Sequence, residues 1–201
     1  MQVVYLDYFS NLCILRYERY TMGRARKPYH SNILAISGTG RNVGKTTLTC
    51  GIIKKLGMDQ KPTAVKISPH FHEVDYDNPI SEEYDAYSIY KEDRNDRGKD
   101  SSKMLAAGAD RVFYIQAKDD HLGDVWRRLS QNIKKDMPVI IESGGIDEII
   151  EPGLSILVTK TGYKKSNKEG RSSRQVMTCF EHFDHIINKI NFKEGNWEIR
   201  K

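Results

Sequence analysis

Ser37-Gly38-Thr39-Gly40-Arg41-Asn42-Val43-Gly44-Lys45-Thr46-Thr47 stands directly behind the apolar run Ile33-Leu34-Ala35-Ile36 and directly ahead of a helical pattern. A buried strand, a glycine-rich loop and a helix in that order form the unit that a phosphate-binding loop requires. Glycines let the loop curl until successive backbone N–H groups point inward at phosphate oxygens, and the helix N-terminus adds partial positive charge. On this reading Lys45 reaches the β- and γ-phosphates and Thr46 offers its hydroxyl to Mg²⁺. The whole stretch Gly38, Thr39, Gly40, Arg41, Asn42, Val43, Gly44, Lys45, Thr46 and Thr47 is then the triphosphate cradle. One position is off pattern: the strict motif wants Gly five residues before Gly44, where this chain has Thr39, with glycines on either side.

Working outward, Leu48, Ile52, Ile53 and Leu56 recur at helical spacing and Gly57 closes the pattern. Thr63 to Ile67 reads as a short buried strand, and Ser68-Pro69-His70-Phe71-His72 is the loop at its C-terminal end. That edge of an open α/β sheet is where ligands sit, which places Lys66, His70 and His72 beside the phosphates. A strongly charged region follows from Glu73 to Asp100; within it Ser81 to Tyr90 is expected to form a short helix carrying Tyr84 and Tyr87, with a mobile remainder from Lys91 to Arg97. Gly98-Lys99-Asp100-Ser101-Ser102 opens a helix that runs to Ala107 and stops at Gly108. Arg111 to Ile115 is a strand, Asp119 to Asn132 an amphipathic helix with Leu122, Val125, Trp126 and Leu129 inward, and Pro138 to Glu142 a further strand. Leu154 to Val158 delivers Thr159-Lys160-Thr161 to the same edge, and Phe183 to Arg200 reads as a hairpin turning at Lys193-Glu194-Gly195-Asn196.

Strands alternating with helices predict an α/β fold, a mainly parallel sheet with helices on both faces and a hairpin-like C-terminal extension. At 201 residues, one such domain is expected over 31–201. Residues 1–30 read as a flexible arm, or as an upstream extension ahead of a natural start at Met22.

The formal charge of +5 divides into +3 over residues 1–30, −3 over 31–159 and +5 over 160–201. Basic ends with an acidic middle are what solvated tails produce, and no nucleic-acid motif accompanies them. No window approaches the roughly 20 apolar residues of a membrane span. Cys13, Cys50 and Cys179 are odd in number and far apart, which argues against a disulfide framework or a zinc knuckle and for a reducing cytoplasm.

A phosphate loop needs a carboxylate from a neighbouring strand to complete a Mg²⁺ shell, because Mg²⁺ takes one or two protein oxygens, waters and substrate phosphates. Glu142 ends an apolar strand and is followed by the small Ser143-Gly144-Gly145, so Thr46 and Glu142 form the candidate metal pair; the alternative is a strand-end carboxylate that caps the next segment. Lys45 and Glu142 are the residues expected to carry catalysis. His70 and His72 are two ligands without a third, short of a zinc site. Asp100 is placed to orient water or a lysine, or to cap its helix, and Lys99 beside the helix N-terminus to bind a second anion.

The order of these pieces resembles the molybdopterin-guanine dinucleotide biosynthesis protein B family. The likeness spans roughly residues 31–145 and rests on the loop, on Lys66 with His70 and His72, on Gly98-Lys99-Asp100-Ser101 leading to Ala107-Gly108-Ala109, and on Glu142-x-Gly144. It implies a P-loop NTPase fold and a GTP-binding protein, often a homodimer, with weak GTPase activity, that assists the client enzyme attaching GMP to molybdopterin. It further implies that Lys66, His70, His72, Lys99, Asp100 and Ser101 line an adjoining surface for an anion or pterin phosphate. The stretch 73–97 is longer than in that family and reads as an insertion. The loop itself, with its outer glycines one residue wider, is similar to that of dethiobiotin synthetase.

Three functional expectations follow. The first is Mg²⁺-dependent binding and slow hydrolysis of GTP, or ATP, in molybdenum-cofactor metabolism. The second is an ATP-dependent small-molecule enzyme similar to dethiobiotin synthetase, and the third a nucleotide-gated module that docks a partner. Asn188-Lys189-Ile190-Asn191 superficially resembles a guanine-reading motif, but lacks the final carboxylate that reads guanine best.

Overall fold

The computed structural model describes residues 4–9, 12–17, 27–76, 79–83, 86–159, 175–178 and 183–200. Met22, Tyr84, Lys160, Thr161 and Cys179, all weighed above, lie outside the described residues. Strands β1 (Val4–Phe9) and β2 (Leu12–Tyr17) pair antiparallel as a separate two-stranded sheet.

The main sheet is built from β3 (Tyr29–Gly38), β4 (Thr63–Ser68), β5 (Ser81–Glu83), β6 (Tyr87–Glu92), β7 (Arg111–Ala117), β8 (Val139–Glu142), β9 (Glu151–Thr159) and β10 (Gln175–Thr178). Its order is β10-β9-β3-β8-β4-β7-β6-β5. The six strands from β10 to β7 are mutually parallel, and β6 and β5 continue the sheet antiparallel. This is an α/β fold with a mostly parallel sheet, as expected. The strand ahead of the loop starts at Tyr29 rather than near Asn32.

Both faces of the central strands are buried, and side-chain alternation feeds two cores. Leu34 and Ile36 of β3 point to one core with Leu48, Ile52 and Ile53 of α1 (Lys45–Leu56), Met104 of α2 (Asp100–Ala106) and Ile186 of α4 (Phe183–Lys189). Ile33 and Ala35 point to the other, where Leu122, Val125, Trp126 and Leu129 of α3 (Leu122–Leu129) cover the sheet. Helices therefore lie on both faces. The expected single helix over Asp119 to Asn132 is shorter, with a 3₁₀ turn at each end, while its four inward residues are the ones foreseen.

Two expectations are corrected. The described residues of Ser81 to Tyr90 form no helix: β5 pairs antiparallel with β6, which in turn pairs with β7. Tyr87, Ser88, Ile89 and Tyr90 are buried in succession, so pairing with β7 and burial on both sides override the helical spacing of the tyrosines. Lys91 and Glu92 belong to this strand, and Glu92 is buried. At the C-terminus, the helix α4 precedes the hairpin, which consists of β11 (Ile190–Lys193) and β12 (Asn196–Ile199) and turns where foreseen, at Glu194-Gly195. The Trp197 indole donates to Asn32 O at 2.8 Å and Ser31 Oγ to Gly195 O at 2.8 Å, which fastens the hairpin to the start of β3.

Candidate functional site

The glycine-rich loop leaves β3 at Gly38 and enters α1 at Lys45. Gly44 precedes the helix with φ +99°, a conformation that costs a side chain dearly, and Asn42 adopts φ +55°. Gly38 is required by contact: a Cβ there would sit 2.7 Å from Val43 Cγ2 and 2.9 Å from Lys45 Cδ. The lysine stem thus crosses the floor of the loop, and its ammonium donates to Gly40 O at 2.7 Å. The Thr39 amide donates to Val158 O at 3.1 Å and ties the loop to β9. The first N–H groups of α1 have no carbonyl one turn earlier to bond and face the loop.

The sheet supplies the rest. Because β8 is inserted between β3 and β4, Glu142 is the register partner of both Ile36 and Lys66. Lys66 is in turn paired with Tyr114 of β7, and Tyr114 with Tyr90 of β6. One row of side chains, Glu142-Lys66-Tyr114-Tyr90, therefore runs across the α1 and α2 face. The Glu142 side chain is 1% exposed. Its Oε2 accepts from the Thr46 hydroxyl at 2.9 Å and its Oε1 from the Lys66 ammonium at 2.5 Å. Lys66 also pairs with Asp100 Oδ2 at 3.1 Å, and Asp100 with Lys103 at 3.4 Å.

Charges in this cluster tune one another. Burial pulls Lys66 toward lower values, but the Glu142 and Asp100 carboxylates outweigh it and hold the ammonium above its ordinary pKa. Asp100 mirrors this: burial raises it, and Lys66 with Lys103 brings it below the usual carboxylate range. For Lys45 burial prevails over the attraction of Glu142, and its pKa is lowered. Burial, then the Glu142 charge, pushes the Cys50 thiol up to about 11.

The residues singled out in the sequence divide into two groups. Gly38 to Thr47, Lys66, Asp100 and Glu142 come together. Asp100 pairs with Lys66, and Lys99, not Asp100, is the cap residue of α2. His70 and His72 are exposed in the loop after β4, their rings 6.2 Å apart, and the His72 carbonyl accepts from Gln116 Nε2 at 2.9 Å. Lys99 lies with its ammonium 5.8 Å over the Tyr76 ring. Ser101, 1% exposed, turns its hydroxyl to Glu92 Oε2 at 2.7 Å. Asn188 to Asn191 stands at the far end of α1, about 15 Å of helix from Lys45. There Lys55 binds the Asn188 carbonyl and Asn191 Oδ1, so that motif closes the α1–α4 junction.

Sequence reasoning missed the cluster of Glu92 with Tyr76, Tyr90 and Tyr114. Its one legible trace was the density of tyrosines, which spacing alone assigned to a helix face.

Thr46 and Glu142 present only hard oxygen donors, one of them a buried carboxylate, which suits Mg²⁺. Among the described residues no group of three His, Cys, Asp or Glu side chains gathers to hold a metal without other ligands. No helix among them is long and apolar enough to cross a membrane. Comparison with protein-family models, with curated proteins and with solved structures found no match.

Proposed function

We propose that this chain is a P-loop protein that binds a nucleoside triphosphate with Mg²⁺ and hydrolyses it slowly. The observation that carries this reading is the Thr46 hydroxyl on the Glu142 carboxylate at 2.9 Å, directly behind a loop whose lysine crosses it. Loop amides and the α1 N-terminus would hold phosphate oxygens, and Lys45 would exchange the Gly40 carbonyl for the β- and γ-phosphates. Thr46 and Glu142 would hold the metal, which when bound neutralises charge on the β- and γ-phosphates. Lys66 stays protonated at neutral pH and acts as a fixed cation, not as a base. Arg41 is the loop's only arginine and is exposed, and both Glu142 oxygens are engaged, so slow turnover is expected.

GTP is the favoured nucleotide, and an accessory role in molybdenum-cofactor synthesis the favoured setting; both rest on the resemblance over residues 31–145. Titration with fluorescent GTP and ATP, with and without Mg²⁺, tests the binding. No Mg²⁺-dependent binding, or binding unchanged in Lys45→Ala, sinks the reading. An added protein that leaves the yield of a reconstituted GMP-attachment reaction unaltered would remove the accessory role.

The wider spacing of the outer glycines, Gly38 and Gly44, favours a second reading, an ATP-dependent enzyme that activates a small carboxylate or carbamate as a mixed phosphoric anhydride. Lys66 would then hold the acid. ATP consumption that appears only with added acid, in stoichiometric amount, distinguishes it.

A further inference from the structure

The charged stretch between β4 and α2 reads in sequence as an insertion, yet its side chains contact α2 and β7, the elements that flank the candidate site. Glu92 is 1% exposed, and four donors converge on its carboxylate. They are the Tyr76 hydroxyl at 2.6 Å, the Ser101 hydroxyl at 2.7 Å, the Arg94 amide at 3.2 Å and Arg97 Nη1 at 3.3 Å. Tyr76 stacks on Tyr90 at 4.9 Å and on Tyr114 at 5.9 Å, with the Arg97 guanidinium 4.6 Å over its ring. The Arg97 amide donates to Ser102 Oγ at 3.0 Å.

Two routes lead from this cluster to Lys66. The first runs through α2, a helix of seven residues whose cap residue Lys99 makes no side-chain capping hydrogen bond. So short a helix has little stability of its own. Its first turn is held by Ser101 and Ser102, and Asp100, beside Ser101, reaches Lys66 at 3.1 Å. The second route is Tyr114, which Tyr76 covers and which is the register partner of Lys66.

We propose that Glu92 is a positioning residue for the candidate site. Through Ser101 and Tyr76 it fixes the first turn of α2 and the Tyr114 ring, and so holds Asp100 against Lys66 and Lys66 against Glu142. This rests on the reading of Lys45, Thr46 and Glu142 as the phosphate and metal site. Tyr76, Glu92 and Arg97 then brace the elements beside that site.

The test compares the full-length protein with Glu92→Gln, Asp100→Asn and the double variant, by titration with fluorescent GTP and ATP analogues in Mg²⁺ and by hydrogen exchange over residues 100–106. The expected result for Glu92→Gln is affinity weakened about three- to tenfold with faster exchange in α2, and a loss in the double variant smaller than the sum of the two single losses. Trp197→Phe, remote from the site, lowers the melting temperature and leaves affinity unchanged. Should Glu92→Gln not fold, Tyr76→Phe keeps the ring stack, removes one donor and weakens affinity about two- to threefold. Unaltered affinity in a folded variant with a lowered melting temperature, or strictly additive losses in the double variant, overturns the proposal alone. Wild-type protein that binds neither nucleotide overturns the phosphate-site reading and this proposal with it.

Discussion

The Thr46 hydroxyl and the Glu142 carboxylate meet at 2.9 Å although 96 positions separate them in the chain. Thr46 lies in the first turn of the helix after the loop, and Glu142 ends β8, the strand beside β3. Lys66 takes the other carboxylate oxygen. A buried acid is thereby shared between a hydroxyl and an ammonium, and breaking that arrangement has measurable consequences.

Glu142→Gln removes the charge that Lys66 faces inside the sheet. Loss of one partner of a largely buried pair, with a hydrogen bond retained by the amide, is expected to cost about 1–3 kcal/mol in urea unfolding. The same variant should lose the Mg²⁺ dependence of triphosphate binding. Full stability together with intact Mg²⁺ dependence would remove Glu142 from the site.

Gly38→Ala places a methyl group 2.7 Å from Val43 Cγ2 and 2.9 Å from Lys45 Cδ. Val43 is buried and has little room to yield, so the loop must shift, at a cost of about 1–3 kcal/mol. Gly40→Ala, whose Cβ meets nothing within 4 Å, should cost far less. Denaturation midpoints of the two variants check the contrast, and equal losses would contradict the loop geometry.

The Lys66–Asp100 pair gives a pH signature with opposite limbs. Lys66 is raised above its ordinary 10.5, so its contribution to stability is complete below pH 10.5 and is lost as pH rises through the raised value. Asp100 is depressed below 3.8, so its contribution is complete above pH 3.8 and is lost as pH falls through the depressed value. The stability difference between wild type and Asp100→Asn should be flat between those limits and shrink beyond either. A difference that changes between pH 6 and pH 8, where neither group titrates, would show that another group sets it.

Lys45 carries the reverse shift, since burial disfavours its charge. On the proposed function a bound triphosphate would favour the ammonium, so binding should be strongest while Lys45 is protonated and should weaken as pH rises through its lowered pKa, at a pH below 10.5. Isothermal titration in buffers of different ionisation heat should detect proton uptake on that alkaline limb. No proton uptake there would detach Lys45 from the phosphates.

Cys50, on the helix that begins at Lys45, has its thiol pushed up to about 11. The thiolate is the reactive form, so alkylation by iodoacetamide at pH 8 should run about a hundredfold slower than for an ordinary thiol near pKa 8.5. Mass mapping of the Cys50 peptide follows it, and modification at the rate of a free thiol would contradict the burial.

The sequence by itself determined the local unit from Ile33 to Gly57. Four apolar residues, a glycine-rich turn and a helical apolar stripe each act on near neighbours, so their outcome is written where they stand. It also located Lys66, Asp100 and Glu142 at strand or helix ends, because periodicity marks where elements stop. Only the tertiary structure decided that Glu142 falls between Thr46 and Lys66, since that depends on β8 entering the sheet between β3 and β4. The tertiary structure likewise turned the tyrosine-rich stretch into β6, where pairing with β7 outweighs local spacing, and sent Ser101 to a carboxylate nine residues earlier. Non-local strand pairing carries no period in the chain, and this is why the loop was legible and the contacts among its neighbours were not.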